Sequence, residues 1–237
     1  MEMRMVDSFG EIDSRLSAIN QSMKVVSDIV EENLGIERIW ASRREWEDDA
    51  IDGLEVWKQR VCQAKTVAVV SNTFYSRWFN DETFIRNFFE GISRGKVARI
   101  LVYDPESGVL TIRQSDERES KVKEVRESQM KNEIRITLER ISEGIERLSE
   151  DAKRNLEIRL NNQFYQLAQI IQADDRILVS LYLSGRTGSP SPTLQIKGPS
   201  RYYSTYSEQV ETLWKHNHEL TKGQLKKIYA LKKRTPK

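Results

Sequence analysis

Asp174-Asp175-Arg176-Ile177-Leu178-Val179-Ser180-Leu181-Tyr182-Leu183-Ser184-Gly185 is the stretch that decides the fold. An acidic pair opens it, a near-continuous apolar run follows, and Gly/Ser/Pro punctuation from Arg186 to Pro192 closes it. Such a run, without strict alternation, predicts a strand over 175–183 that is covered on both faces. Two further runs have the same character: Thr66-Val67-Ala68-Val69-Val70-Ser71 and Val97-Ala98-Arg99-Ile100-Leu101-Val102-Tyr103. Between them Asp81 is placed to cap a helix through Ile92, with Phe84, Ile85, Phe88 and Phe89 on its inner face. Strand, helix and strand joined by short connections predict a right-handed parallel unit in an α/β domain.

The remaining elements follow around this unit. Leu156–Leu160, Tyr165–Ile171 and Leu194–Ile196 read as strands, and Leu110–Asp116 as a short strand or loop. The charged stretch from about 117 to 155 is helical, with Met130, Ile134, Leu138, Ile141, Ile145 and Leu148 as its apolar stripe. That stripe either covers the sheet or offers an oligomer surface. Ser42 suits a helix cap, with Ala50, Leu54, Trp57 and Val61 on one face beyond it. Ser204 or Thr205 suits the cap of a helix burying Val210, Leu213 and Trp214. Asn72 to Asn80 is an aromatic-rich loop whose Phe74, Tyr75, Trp78 and Phe79 either stack on a base or pack on the core.

The N-terminal segment has a different period. Met5, Phe9, Ile12, Leu16, Ile19, Met23, Val26 and Val30 are spaced 4, 3, 4, 3, 4, 3, 4. This is the seam of a coiled coil held for about three and a half heptads, roughly 40 Å of helix. Phe9, Ile12, Leu16, Ile19, Met23 and Val26 are its oligomerisation residues, and they predict a homo-oligomer, dimeric or higher; the alternative is an amphipathic helix packed on its own domain. The division is a coiled-coil helix over 1–34, an α/β domain over 35–220 and a basic tail over 221–237.

Composition narrows the function. The 237 residues carry a formal net charge of +2, so no global field draws the chain to nucleic acid or membrane. The charge is uneven: from Lys215 onward eight cations stand against Glu219 alone. Within the tail, Lys226, Lys227, Lys232, Lys233 and Arg234 form an arm for phosphates or a partner, unless it is simply a solvated tail. The single cysteine, Cys62, allows no internal disulfide and no cysteine-based zinc site, and points to a reducing, cytoplasmic setting. Glu2, Asp7, Glu11 and Asp13 leave no apolar core for a signal peptide, and no run of about 18 apolar residues predicts a membrane span. His216-Asn217-His218 reads as a helix end rather than a metal site, and no cofactor motif is present.

Two segments carry a resemblance. Gly95-x-Val97-x-Arg99-Ile100-Leu101-Val102 before Asp104-Pro105, and Asp174–Ser180, resemble units of the phospholipase D-like superfamily. Gly35-Ile36-Glu37-Arg38-Ile39-Trp40-Ala41-Ser42-Arg43 and Asp174–Pro192 are similar to segments of a bacterial branch often fused to helix-turn-helix or signalling modules. The resemblance spans about residues 35–215. It implies a single phospholipase D-like α/β sandwich, a mixed sheet flanked by helices, with the coiled-coil helix added in front.

The superfamily's His-x-Lys-x4-Asp motif maps onto Leu167, Gln169 and Asp174. Its chemistry needs a histidine nucleophile, a second histidine as general acid and a lysine on the phosphate. Leucine cannot attack phosphorus, and glutamine carries no charge. The resemblance therefore implies a degenerate, non-enzymatic member: a regulatory, sensor or assembly subunit of a bacterial signalling or antiviral system. Ligands of open α/β sheets bind beyond the carboxyl ends of strands. Ser71, Asn72, Asp104, Ser180, Tyr182 and Arg186 are the candidate contacts there, for a protein partner or a nucleotide-like ligand. Nucleic acid held by the tail is the alternative, and phosphodiesterase activity is the least expected outcome.

Overall fold

The computed structural model describes residues 17, 20–116, 123–182 and 190–220. Seam residues Phe9, Ile12, Leu16 and Ile19, loop residue Arg186, and tail residues Lys226, Lys227, Lys232, Lys233 and Arg234 lie outside them.

One mixed sheet organises the chain. Its strands are β1 (Ile36–Trp40), β2 (Thr66–Val70), β3 (Val97–Tyr103), β4 (Leu156–Asn161), β5 (Ala168–Ala173), β6 (Arg176–Leu181), β7 (Thr193–Lys197) and β8 (His218–Glu219). Their spatial order is β1-β7-β6-β5-β2-β3-β4-β8. β2, β3 and β4 run parallel, and every other pairing is antiparallel. The β-branched runs of β2, β3 and β6 are buried because helices cover both faces of the sheet.

On one face lie α2 (Arg43–Asp48), α3 (Leu54–Gln63), α4 (Glu82–Ser93), α5 (Gly108–Asp116), α6 (Lys123–Glu146) and α7 (Glu150–Lys153). Their apolar residues join Val67, Val69, Ile100 and Ile171 in one core. Asp81 caps α4 as its sequence predicts, accepting from the Thr83 and Phe84 amides at 2.9 and 3.1 Å. Phe88 is wholly buried, which contributes about 2–3 kcal/mol of transfer free energy. The α6 stripe packs inward: Ile134, Leu138 and Ile141 are core residues, so this face covers the sheet rather than a second copy. The aromatic segment is not a base-stacking loop. It contains a π-helical turn, Tyr75–Phe79, and Phe74, Trp78 and Phe79 are buried with their rings engaged by one another.

On the other face lie α1 (residues 20–34, ending in the π-helical turn Ile29–Leu34) and α8 (Arg201–His216). Val30 and Leu34 of α1 pack with Ile36, Ile196, Val210, Leu213 and Trp214 in a second core. Gly35 ends α1 at φ 75°, where only glycine sits without strain. A Cβ there would lie 2.0 Å from Ser200 Oγ and 2.5 Å from the Lys197 carbonyl, so α1, β7 and the start of α8 meet at this residue.

Several elements differ from the sequence reading. Ile36–Trp40, which the sequence pattern assigns to no element, is the edge strand β1. Leu110–Asp116 belongs to helix α5, whose first turn is held by Ser107 Oγ accepting from the Leu110 amide at 3.2 Å. The long charged helix breaks at Ser149, which caps α7. β5 is shifted to Ala168–Ala173, because it pairs in register with both β2 and β6. α8 is capped by Ser200, not Ser204 or Thr205, whose hydroxyls donate back to carbonyls within the first turn.

Lys96, in the turn before β3, is buried. Its Nζ donates to the carbonyls of Val61 and, at 2.8 Å, Cys62, the exposed end of α3's hydrogen-bond ladder. Burial lowers its pKa to about 8.

Candidate functional site

The carboxyl ends of β2 and β3 open beside the start of β5, because β5 runs antiparallel to β2. Gln169 on β5 is paired with Ser180 on β6, and Ser180 with Thr193 on β7. Together with Ser71, these residues form a polar row across four strands. Gln169 Nε2 donates to Ser71 Oγ at 2.9 Å, and Ser180 and Thr193 share a hydroxyl hydrogen bond at 3.0 Å. All four are buried.

A second layer closes over the row. The Tyr182 hydroxyl lies against the Asn72 main chain and the Ser71 side chain, and burial raises its pKa. Arg113 on α5 donates to Tyr165 Oη at 2.9 Å and stacks over the Tyr182 ring at 4.8 Å. Tyr103 Oη accepts from the Gln166 amide at 2.7 Å, and burial pushes this phenol above its ordinary value.

The row is unusual in what it leaves over. Asn72 Oδ1, Gln169 Oε1, Ser191 Oγ and both amide atoms of the Gln166 side chain are buried without a hydrogen-bond partner. Each such atom costs about 1–3 kcal/mol unless water or a ligand meets it. Their gathering at one set of strand ends makes this the candidate site. The atoms provide acceptors (Asn72, Gln169), a donor and acceptor on one amide (Gln166) and a hydroxyl (Ser191), with tyrosine rings beside them.

The sequence-predicted residues divide here. Ser71, Asn72, Ser180 and Tyr182 come together. Asp104 stands at the end of β3, and its carboxylate accepts from the Glu106 amide at 2.9 Å within its own turn. Leu167 stands 69% exposed at the rim, where its carbonyl accepts from the Tyr182 amide. Asp174 lies at the far end of β5, five residues from Gln169 and thus roughly 17 Å away. There its carboxylate accepts from the Lys65 amide at 3.0 Å, the Thr66 amide at 2.9 Å and Thr66 Oγ1 at 3.1 Å. The sequence reading passed over Arg113, Tyr165, Gln166, Ser191 and Thr193. For Arg113 the signal was present, since Leu110, Arg113 and Gln114 fall on one helical face and all three are buried.

His216 and His218 belong to other elements than this row, α8 and β8. His216 Nδ1 lies 2.7 Å from the Thr212 carbonyl, and His218 is in β8 at the sheet edge. Among the described residues, no group of three or more His, Cys, Asp or Glu side chains is arranged to hold a metal, and no helix is long and apolar enough to cross a membrane.

No protein-family model matches the chain, and no curated protein matches it in sequence. Solved structures do. The chain is similar to TrmBL2, an archaeal chromatin protein whose structure shows a novel mode of DNA binding, at 14% identity and a TM-score of 0.43; the match covers 89% of this chain but 64% of that one. It is also similar to Nuc of Salmonella typhimurium, a phospholipase D family member, at 9% identity and a TM-score of 0.44, covering 77% of this chain and 97% of Nuc. NucT of Helicobacter pylori matches at 10% identity and a TM-score of 0.44, covering 77% and 98%.

Proposed function

We propose that the chain is a non-enzymatic regulatory or sensor subunit on a phospholipase D-like fold, which binds a small nucleotide-like ligand at the ends of β2, β3, β5 and β6. The orphaned polar atoms of Asn72, Gln166, Gln169 and Ser191 carry this reading, because they are buried hydrogen-bonding groups left without partners, with the Tyr182 ring and Arg113 in the layer over them. The positions that would hold a nucleophile and a phosphate-binding cation are Leu167, which has no lone pair, and Gln169, which is neutral and tied to Ser71. A signalling or antiviral setting, with a protein partner reading out the bound state, is carried over from the sequence resemblance alone.

Two measurements test it. Purified protein should give no turnover of a chromogenic phosphodiester, single-stranded DNA or phospholipid; turnover that tracks the protein through purification would sink the reading. In a thermal-shift panel of nucleosides and nucleotides, at least one should raise the melting temperature. Gln166→Met should remove that shift while leaving the free protein at least as stable as wild type, because the amide it replaces has no partner. A flat panel would end the ligand reading.

A second reading rests on the charge asymmetry after Lys215, which suits a nucleic-acid arm. It predicts binding to DNA or RNA of any sequence that falls steeply with salt and vanishes on deleting residues 222–237.

A further inference from the structure

The apolar face of α1 is divided. Val30 and Leu34 are turned into the second core, whereas Met23 and Val26, two and one seam positions before Val30, are 66% and 60% exposed. A groove of about 660 Å³ runs between this stretch of α1 and β1; Met23, Val26, Val30, Ile36 and Ile39 give it an apolar floor, and Glu31, Glu37 and Arg38 also line it. β1 is the edge of the sheet, and Ile39 is 62% exposed on it. An apolar helix face beside two isoleucines of a strand at an open sheet edge is a surface that proteins cover.

We infer that the groove receives α1 of a second copy of this chain, so that two copies pair with each helix lying against the other's β1. Three observations select a second copy as the occupant. First, the exposed residues continue the 4-3 seam of the N-terminal segment, a pattern that matches its own copy. Second, the described positions flanking the seam, Asn20, Ser22, Ser27 and Ile29, carry no charge, so two identical helices meet without like-charge repulsion. Third, helix face and strand form one continuous patch on each copy, which a two-fold axis can make reciprocal. The pairing is independent of any ligand at the strand ends.

Light scattering and native mass spectrometry of the full chain test the proposal. Wild type should run at twice the chain mass. Met23→Asp, Val26→Asp and Ile39→Asp should each weaken pairing about 100-fold or more by burying a carboxylate in the apolar contact. All three sites are exposed, so the monomers should keep the wild-type circular dichroism spectrum. Val25 is the control: it is 53% exposed and apolar, yet lies off the seam and outside the groove, so Val25→Asp should remain paired. A monomeric wild type overturns the proposal. So does a dimer that survives Ile39→Asp, since a coil without the groove would be indifferent to that change, or a Val25→Asp chain that dissociates as Met23→Asp does.

Discussion

Replacing Asp174 tests whether the motif aspartate is an architectural residue. It occupies the left-handed region at φ 50°, which Asp and Asn tolerate better than other residues with a Cβ. Its carboxylate accepts from the Lys65 amide, the Thr66 amide and Thr66 Oγ1. The turn is exposed, so water competes for each donor and the net value per bond stays at the low end, about 0.5–1 kcal/mol. Alanine loses all three bonds and adds about 1 kcal/mol of left-handed strain, a total of about 3 kcal/mol. Glycine loses the bonds but not the backbone fit, which gives about 2 kcal/mol. Asparagine keeps the conformation and one oxygen acceptor, for a loss of about 1 kcal/mol. Urea unfolding followed by circular dichroism measures all three, and the order should be Ala, Gly, Asn from most to least destabilised. Ligand-induced thermal shifts should persist in the asparagine variant, because the carboxylate lies about 17 Å from Gln169. If the alanine variant unfolds within 0.5 kcal/mol of wild type, the capping account of this aspartate is wrong.

Lys96 predicts a stability that rises with pH. Its folded pKa of about 8 lies below the unfolded 10.5, so between these values the unfolded chain binds more protons and alkali favours the fold. The full shift corresponds to a gain of up to about 3 kcal/mol, spread over the whole interval. Cys62 and Tyr103 are shifted upward and pull the other way, the thiol already as pH nears its unfolded 9.0, so the window in which Lys96 dominates is pH 8 to 9. Unfolding in that window should show an upward slope in wild type that Lys96→Met flattens; equal slopes would refute the assignment. Gly35→Ala should lower stability by more than about 2 kcal/mol, from left-handed strain plus collision with Ser200 and the Lys197 carbonyl. An unchanged melting temperature in that variant would show that the α1, β7 and α8 junction adapts.

The elements most legible in the sequence are those whose pattern is local. β2, β3 and β6 announce themselves as apolar β-branched runs, and α4 by its cap and aromatic face, because burial on both sides of a strand or one side of a helix imposes its own period. The Asp174 turn belongs with them, since an acidic pair before such a run has the αL tolerance and acceptor that the turn uses. Leu167 and Gln169 could likewise be read as groups unfit for phosphoryl transfer, because that judgement needs only the chemistry of the side chain. Other elements were not legible for equally physical reasons. β1 reads Ile-Glu-Arg-Ile-Trp, five residues without the alternation of a half-buried strand and too short to separate an edge strand from the approach to a helix. α5 hides a buried arginine on its inner face, and the aromatic stretch 74–79 reads alike as a lid or a platform until its rings are seen to occupy one another. The candidate site is the furthest from any local pattern. Residues 71, 72, 113, 166, 169 and 191 become neighbours because β5 inserts antiparallel between β2 and β6, and pairing between strands about a hundred residues apart is chosen by the burial of both sheet faces at once, not by the residues that later share the site. The sequence by itself determined the central strands β2, β3 and β6 and the capped helix α4. Tertiary structure alone decided which polar groups are left together without partners, and which half of the N-terminal helix its own domain covers.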